Sequence, residues 1–288
     1  MRYHKPASFA QAIDIASTSE GITRFLAGGT DVLVQLRADI VSPDDLIDIK
    51  HISGVREITK RADGGYDIGI AVSGAEMSED DVLMADWPGL VEAMDLIGST
   101  QVQGRATLVG NLCNASPAAD SVPAMIAAGV TLTVEGPTGA REVAVEDIPT
   151  GPGKTALEKG EMITKVHVPA RGENAGDAYL RFIPRTEMDI AVVGCGVNLR
   201  LEGDTITEAR VALGAVAPVA ALVPEAAKAL IGTTLDEAAL AALAKAAQEA
   251  CNPIDDKRGT IAFRTDVAGV LAQRAAKIAY ARAKGETK

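Results

Sequence analysis

Two short glycine-containing segments constrain this chain more than any other feature. The first runs from Ala27 to Asp31 (Ala-Gly-Gly-Thr-Asp), directly after the apolar pair Phe25-Leu26. The second runs from Thr107 to Asn111 (Thr-Leu-Val-Gly-Asn), roughly eighty residues later. Each joins a small, flexible backbone to hydrogen-bonding side chains, which is what a protein needs to wrap its main chain around a phosphate. Two such loops favour a long ligand with two ends, such as a dinucleotide.

The first loop is expected to join a strand, Thr23 to Ala27, to a short helix, Val32 to Arg37. The start of a helix carries unpaired N–H groups, and the helix dipole favours an anion there. Gly28 and Gly29 remove the Cβ atoms that would hold a pyrophosphate away, and Thr30 can cap the helix. The alternative is a plain strand–turn–helix capped by Thr30. The loop is not Gly-x-Gly-x-x-Gly, so a Rossmann site is not indicated.

The second loop adds further hydrogen-bonding groups. Thr107 offers a hydroxyl, Gly110 allows close backbone approach, and Asn111 has both a donor and an acceptor. Asn114 and Asp120 follow in the same short segment, and Asp120 precedes an apolar stretch predicted to be a buried helix. Two interpretations of Asp120 stay open. It caps that helix, or it accepts hydrogen bonds from ribityl or ribose hydroxyls.

Composition narrows the class of protein. The 288 residues carry a net charge of −11, which argues against a nucleic-acid surface because such surfaces need Lys and Arg patches. No apolar run approaches the ~20 residues of a membrane span, and the N-terminus lacks the apolar region of a signal peptide, so we expect a cytoplasmic protein. Cys113, Cys195 and Cys251 are far apart, which argues against an iron–sulfur cluster within this chain. No metal site is predicted.

The pattern of strands and helices predicts three lobes, which cover residues 1–56, 57–172 and 177–288. The polar segment from Arg171 to Gly176 is the predicted linker before the third lobe. Within the lobes the sequence predicts a helix over 78–84, a hairpin over 130–145, strands over 190–201 and 205–215, and helices over 224–231, 235–251 and 260–284.

Three segments occur together in the order and spacing of one known family. They are the first loop, the segment from Thr107 to Asp120, and the segment from Pro184 to Ala191 (Pro-Arg-Thr-Glu-Met-Asp-Ile-Ala). Over essentially its whole length, the chain resembles the FAD-binding medium subunit of the molybdenum hydroxylases, the family of xanthine dehydrogenase and carbon monoxide dehydrogenase. The ordered set of motifs, rather than any one of them, carries the resemblance.

This resemblance implies an α+β fold of the vanillyl-alcohol-oxidase/PCMH type. Two α/β lobes would bind FAD between them, and a C-terminal domain of sheet and helices would cover part of the cofactor. Because the redox chemistry belongs to the flavin, no residue has to act as a nucleophile.

The resemblance also assigns residues to parts of FAD. Leu26 to Leu33 would wrap the diphosphate, Asp120 would bind a sugar hydroxyl or ribityl oxygen, and Ile163 would contact the adenine end through its backbone. Arg181 would lie near the flavin, and Asp189 and Ile190 would lie beside the isoalloxazine ring. The full predicted cofactor-binding set is Leu26, Ala27, Gly28, Gly29, Thr30, Asp31, Val32, Leu33, Thr107, Gly110, Asn111, Asn114, Asp120, Ile163, Arg181, Asp189 and Ile190.

By the same resemblance, the chain is an oxidoreductase subunit that takes electrons from a small [2Fe–2S] subunit and passes them to an external acceptor. A large subunit carrying molybdopterin-bound molybdenum would oxidise the substrate, and the complex would be a dimer of heterotrimers. The acceptor stays open between NAD⁺, oxygen, a quinone and a carrier protein. Two alternatives remain: a stand-alone FAD oxidoreductase of the same fold, and a non-enzymatic assembly protein.

Two positions depart from the family pattern. Val109 stands where relatives usually carry glycine, so it should face away from the cofactor or adopt a normal φ. Met188 stands where some NAD-linked relatives carry an acidic residue. For Arg181, Arg185 and Glu187, a surface ion-pair cluster is the alternative to a role beside the flavin.

Overall fold

The computed structural model describes residues 1–186 and 188–286. Their helices and strands form three main sheets, a two-stranded ribbon and two hydrophobic cores. None of the helices in these two ranges combines the length and the apolar character needed to cross a membrane. Glu187, which the ion-pair alternative included, lies outside the described residues.

The first sheet is parallel and has three strands. Its elements are β1 (Arg2–His4), α1 (Phe9–Thr18), β2 (Thr23–Leu26), α2 (Val32–Arg37) and β3 (Asp45–Asp48), followed by a 3-10 turn at Ile49–His51. The strand order is β1-β3-β2. Ser8 caps α1 by accepting a hydrogen bond from the Gln11 N–H, and Ala12, Ile13 and Ala16 form the buried stripe of the helix. The predicted strand and helix on either side of the first loop are confirmed.

Asp45 holds β1 against the rest of the sheet. Its carboxylate is 1% exposed and accepts hydrogen bonds from Arg2 Nε at 2.7 Å and from Ser19 Oγ at 2.6 Å. His4 Nε2 lies 2.7 Å from the same carboxylate. These partners, Arg2 foremost, hold the pKa of Asp45 well below its usual range.

Replacing Asp45 with asparagine is expected to release β1, so the amides of Arg2 to His4 should exchange hydrogen faster. Because the folded-state pKa is lowered, the carboxylate stabilises the fold above its unfolded pKa of ~3.9, and this contribution is lost as the pH falls through the folded-state value. Hydrogen exchange followed by mass spectrometry measures the release. Asp14→Asn, on the exposed side of α1, is the control, and equal exchange in both variants would contradict the role of Asp45.

The second sheet is antiparallel and has five strands. Its lobe contains β4 (Ile58–Lys60), β5 (Tyr66–Ile68), α3 (Gly74–Ser78), α4 (Asp81–Asp86), α5 (Pro88–Asp95), α6 (Thr100–Gln103), α7 (Leu108–Cys113), α8 (Ser121–Ala128), β6 (Thr131–Gly136), β7 (Gly139–Ala144), a 3-10 turn at Val145–Asp147, β8 (Pro149–Gly151), β9 (Lys154–Thr155) and β10 (Met162–Val168). The strand order is β4-β5-β10-β6-β7, and β6 and β7 form the predicted hairpin.

The single helix predicted over 78–84 is wrong, because Asp80 interrupts it. The Asp80 carboxylate caps α4 by accepting hydrogen bonds from two of its N–H groups.

The third sheet is antiparallel and carries the C-terminal helices. Its elements are β11 (Ala175–Phe182), β12 (Val193–Glu202), β13 (Thr205–Gly214), β14 (Ala221–Leu222), α9 (Pro224–Leu230), α10 (Glu237–Glu249) and α11 (Ile261–Ala283). The strand predicted to begin at Ile190 begins at Val193, and β11 was not predicted. The segment predicted as a linker already contains the start of β11. A Cβ on Gly176 would lie 1.9 Å from the Ala279 carbonyl oxygen, so this glycine permits α11 to pack closely on β11.

Trp87 packs where the second lobe meets the third sheet. Its side chain is buried, and the Arg171 guanidinium lies 4.7 Å from its ring centroid. Arg171 Nη1 donates to Asp177 Oδ1 at 2.7 Å, and Asp177 Oδ2 accepts a hydrogen bond from the Leu90 N–H at 3.1 Å. These contacts fix the C-terminal sheet against the second lobe.

Candidate functional site

A cavity of about 550 Å³ lies where the first two lobes meet, and both glycine loops line it. Its volume is within the usual range of cofactor and small-molecule sites. The predicted residues that line it are Ala27, Gly28, Gly29, Thr30, Asp31, Val32, Thr107, Gly110, Asn114 and Ile163. The structure therefore brings together two segments that are distant in the sequence.

Gly28 is the point at which the first loop touches the segment that leads into the second loop. A Cβ at this position would lie 1.7 Å from the carbonyl oxygen of Arg105, just before the second loop. Gly29 has a φ of +83°, and its Cβ would contact the side chains of Leu26 and Leu33. Gly28 thus allows this close approach of the two segments. Gly29 allows a sharp turn that packs against the side chains of Leu26 and Leu33.

Two cations hold the carbonyl groups of the first loop. Lys50 Nζ donates to the Ala27 carbonyl oxygen at 3.0 Å, and Arg105 Nε donates to the Gly28 carbonyl oxygen at 2.8 Å. With these oxygens engaged, the N–H groups of Thr30, Asp31 and Val32 have no hydrogen-bond partner among the described residues. Lys50 Nζ also donates to Asp48 Oδ1 at 2.6 Å, so its charge is already paired within the protein. The free N–H groups of the loop are what favours an anion here.

The capping role predicted for Thr30 is wrong. The N-cap residue of α2 is Asp31, and its side chain makes no capping hydrogen bond. The turn at Gly29 is the physical reason, because it delays the start of the helix by one residue beyond Thr30. The first turn of α2 consequently keeps its donors for a ligand.

The second loop is the capped start of a helix. Thr107 is the N-cap of α7, and its Oγ1 accepts a hydrogen bond from the Gly110 N–H at 3.0 Å. This leaves the hydroxyl proton of Thr107 free to be donated to a ligand. Val109 is helical with a negative φ, as one of its two predicted options required, but its side chain lines the cavity instead of facing away.

Asn114 joins the two loops across the cavity. Its Nδ2 donates to Asp31 Oδ1 at 3.1 Å, and its Oδ1 accepts a hydrogen bond from Gln35 Nε2 at 3.2 Å. Desolvation raises the pKa of Asp31. Asn111 has a different position outside the cavity lining, and its Oδ1 accepts hydrogen bonds from the Ser121 N–H and hydroxyl at 3.2 and 2.7 Å.

Asp120 and Arg181 form a buried pair that does not line the cavity. Asp120 Oδ2 accepts a hydrogen bond from Arg181 Nη1 at 2.8 Å, and Oδ1 accepts one from the Tyr179 hydroxyl at 3.0 Å. Burial raises the pKa of Asp120 to about 6 and also raises the pKa of Tyr179 well above its usual value. Asp120 occupies the N-cap position of α8, but its side chain makes no capping hydrogen bond. The surface ion-pair interpretation is wrong for Arg181, since its partner is this buried carboxylate.

Asp189 and Ile190 also lie outside the cavity lining. Asp189 accepts hydrogen bonds from Arg258 Nε at 3.0 Å and from Arg185 Nε at 3.1 Å, and Arg258 with Arg185 lowers its pKa to about 2. Ile190 is 53% exposed. Met188, beside them, has a φ of +54°.

Apart from Ile163, the wall of the cavity formed beside β9 and β10 was not predicted from the sequence. The pairing of β10 with β6 shifts between Ile163 and Lys165, which places a bulge beside Ile163 at this wall. The pair Gly151 and Gly153, on either side of Pro152, is the sequence signal of a tight turn that could have drawn attention to it. Residues that line the cavity and were not predicted include Phe25, Gln35, Ile49, Ile70, Cys113, Thr155, Leu157, Gly160 and Met162.

Two known protein domain families match this chain, one over its N-terminal part and one over its C-terminal part. Residues 1–171 match the family described as the FAD binding domain in molybdopterin dehydrogenase, and residues 178–279 match the CO dehydrogenase flavoprotein C-terminal domain. The chain belongs to this family. The resemblance inferred from the sequence motifs is therefore confirmed, and the lobe boundaries at 56, 172 and 177 stay predictions.

Relatives of this FAD-binding subunit align with it from end to end. The carbon monoxide dehydrogenase medium chain of Hydrogenophaga pseudoflava is 33% identical, with 97% of each chain covered. The xanthine dehydrogenase FAD-binding subunit of Escherichia coli O157:H7 is 30% identical, with 99% of this chain and 97% of the relative covered.

Solved structures agree with this assignment. A chain of the Hydrogenophaga pseudoflava carbon monoxide dehydrogenase superposes with a TM-score of 0.93 at 32% identity, with 98% of each chain covered. Quinoline 2-oxidoreductase from Pseudomonas putida 86 gives a TM-score of 0.90 at 28% identity, with 100% of this chain and 98% of that chain covered. The predicted fold of FAD-binding lobes followed by a C-terminal domain is confirmed. The chain is an FAD-binding subunit of an oxidoreductase in the molybdenum hydroxylase family.

Proposed function

We propose that this chain carries electrons within a molybdenum hydroxylase complex, from a small [2Fe–2S] subunit through FAD to an external acceptor. A large subunit with molybdopterin-bound molybdenum would oxidise the substrate, and the complex would be a dimer of heterotrimers in the cytoplasm. The observation that carries this proposal is the cavity of about 550 Å³ that both glycine loops line. Relatives named as subunits of carbon monoxide and xanthine dehydrogenases support the assignment to this class of complex.

The residues of the cavity fit the parts of FAD. The diphosphate would be bound by the free N–H groups of the first loop and by the Thr107 hydroxyl, with Gly110 and Asn114 close by. Arg105 would offset part of the diphosphate charge, since it already donates to a carbonyl oxygen of that loop, whereas Lys50 is paired with Asp48. Apolar residues such as Leu157 and Ile163, beside the bulge in β10, would contact the adenine end.

The remaining predicted residues would serve the flavin end. Asn111 would fix the second loop through Ser121, and Asp120 would bind a sugar hydroxyl or ribityl oxygen. Arg181 would lie near the flavin, and Asp189 with Ile190 would lie beside the isoalloxazine ring. Bound FAD supplies the redox chemistry, because it exchanges electrons either singly or in pairs. The protein's own side chains bind and orient the cofactor and hold positive charge next to it.

The visible spectrum of the purified chain, with the released flavin identified by chromatography, tests the proposal. Bound FAD is the expected result, and ADP should compete with it, because the loops hold the diphosphate rather than the flavin ring. Bound FMN in place of FAD, or no flavin after added FAD, would contradict the site.

Expression together with candidate partner subunits tests the electron path. Co-purification with an iron–sulfur chain that reduces the bound FAD is expected, and the mass of the complex checks the dimer of heterotrimers. A chain that binds FAD but oxidises a substrate without partners would instead be a stand-alone flavoenzyme. A chain that joins the complex without flavin would be an assembly protein.

A further inference from the structure

Lys50 is held between a buried carboxylate and the first glycine loop. Its Nζ donates to Asp48 Oδ1 at 2.6 Å and to the Ala27 carbonyl oxygen at 3.0 Å. The Asp48 side chain is 6% exposed, and that of Lys50 is 30% exposed. Ala27 lines the cavity, whereas Lys50 lies behind it, outside the lining. Lys50 therefore joins the end of the central strand β3 to the loop that follows β2.

The Asp48 carboxylate is a rigid anchor for this lysine. Its Oδ1 also accepts the Lys50 N–H at 3.1 Å, which begins the 3-10 turn at Ile49–His51. Its Oδ2 accepts the hydroxyl of Tyr3, on β1, at 2.5 Å. Because both oxygens are engaged by protein groups, Asp48 is fixed before any ligand arrives. The position of the Lys50 ammonium is thus set by the parallel sheet.

The Ala27–Gly28 peptide is the part of the loop that this contact orients. The carbonyl and the N–H of a trans peptide point to opposite sides. Since the Ala27 oxygen faces Lys50, the Gly28 N–H faces the other way, and it has no hydrogen-bond partner among the described residues. Glycine at position 28 would tolerate the reversed peptide with little strain. The local backbone therefore does not fix this orientation without Lys50.

The charge of Lys50 is not what it offers the cavity. The ammonium is already paired with the buried Asp48 carboxylate. Arg105 differs, because it is exposed and its one side-chain hydrogen bond to a described residue goes to the Gly28 carbonyl. What Lys50 contributes is a fixed donor that keeps the Ala27 oxygen turned away from a ligand.

We propose that Asp48, through Lys50, positions the Ala27–Gly28 peptide so that its N–H, rather than its carbonyl, faces the diphosphate of FAD. This inference rests on the proposed function. Lys50 and Asp48 are positioning residues, since they act on the cofactor through Ala27. Without Lys50 the peptide is free to reverse, which removes one donor from the phosphate site and turns a partly negative oxygen towards it.

Calorimetric titration of the full apoprotein with FAD and with ADP, at low and at high ionic strength, tests this proposal. Lys50→Met is expected to bind both ligands about tenfold more weakly, the effect of one lost hydrogen bond to a charged group. Its dependence on salt should match that of the wild type, because the charge removed was already paired. A merely structural role would not predict equal losses for FAD and ADP at an unchanged unfolding midpoint.

Asp48→Asn separates positioning from attraction by charge. The variant keeps an oxygen for Lys50 but removes the negative charge that balances it. Attraction by the unpaired ammonium would tighten FAD binding. Positioning predicts weaker binding, because a neutral acceptor holds the ammonium less firmly than a carboxylate does.

A matched pair provides the control. Lys60 and Asp86 are also joined at 2.6 Å, and both lie outside the cavity lining, so Lys60→Met should bind FAD as the wild type does. Lys50→Arg keeps donors for both acceptors and should recover most of the wild-type affinity, which provides a test if Lys50→Met does not fold.

The outcomes distinguish this inference from the proposed function. Wild-type affinity in Lys50→Met, a reduced dependence on salt in that variant, tighter FAD binding by Asp48→Asn, or no recovery in Lys50→Arg would overturn the inference alone. Failure of the wild-type chain to bind FAD would overturn both.

Discussion

The Gly28→Ala variant is expected to be purified without bound FAD. Its Cβ would lie 1.7 Å from the carbonyl oxygen of Arg105, so the first loop has to move away from the segment that leads into Thr107. That movement also breaks the hydrogen bond from Arg105 to the Gly28 carbonyl and turns the free N–H groups out of alignment. We expect FAD to bind at least ~100-fold more weakly, which is about 2.8 kcal/mol. Flavin absorbance and a fluorescence titration of the apoprotein measure the loss.

Gly104→Ala is the matched control for this variant. Gly104 precedes Arg105, has a φ of −62°, and a Cβ there meets nothing closer than 3.8 Å. Its FAD affinity should equal that of the wild type. Gly29→Val should also lose FAD, because its φ of +83° strains any side chain. Full flavin content in both Gly28→Ala and Gly29→Val would show that the first loop does not hold the cofactor.

The Arg264→Met variant is expected to lose about 1–3 kcal/mol of stability, the usual cost of leaving buried hydrogen-bond acceptors without their donor. The Arg264 side chain is 4% exposed and donates to the Val192 carbonyl oxygen and to Asp256, both at 2.7 Å. It also reaches the Ala215 carbonyl oxygen at 3.4 Å. Methionine fills the space but leaves these acceptors without their donor. The urea concentration at the unfolding midpoint measures the loss.

A second variant on the same helix isolates the effect of the buried charge. Arg274 lies on an exposed part of α11, so Arg274→Met should change stability by less than ~0.5 kcal/mol. Equal unfolding midpoints for Arg264→Met and Arg274→Met would contradict the structural role of Arg264. A larger loss in Arg264→Met is expected even without FAD, because the contacts of Arg264 are all to protein groups.

Local sequence signals predicted the elements beside the first loop well. The strand before Gly28 and the helix from Val32 to Arg37 follow from an apolar run, a glycine turn and a helical stretch that lie next to one another in the chain. The hairpin of β6 and β7 follows from a Gly-Pro-Thr-Gly turn between alternating strands. Each of these signals lies within a few residues of the structure that it specifies.

Strands that depend on distant partners were not predictable in this way. β1 consists of Arg2, Tyr3 and His4, which show no apolar alternation, and it is held by a carboxylate more than forty residues away. β11 begins with small residues typical of a linker, and its burial under α11 makes it a strand. In both cases tertiary contacts outweigh local propensity.

The residues of the candidate site also differ in whether a local sequence signal could predict them. Residues of the two loops that line the cavity could be predicted because glycines next to short polar side chains are a local signal of a candidate phosphate site. The pairing of Asp120 with Tyr179 and Arg181 joins positions about sixty residues apart, and nothing in either segment indicates the partner. Lys50 and Arg105 were missed because their role is to hold backbone oxygens, for which the sequence has no motif.

The contact between Gly28 and Arg105 also has a consequence for the order of events during biosynthesis. It joins residues 77 positions apart, so closing it requires ordering a long intervening stretch of chain. Contacts of such large sequence separation form late in folding. A ribosome-bound chain that has emerged only through the first lobe would hold one half of the proposed phosphate site, and we expect it to retain no nucleotide. If the two loops hold FAD as proposed, cofactor loading follows completion of both lobes, and flavin content measures how much of a preparation has reached that stage.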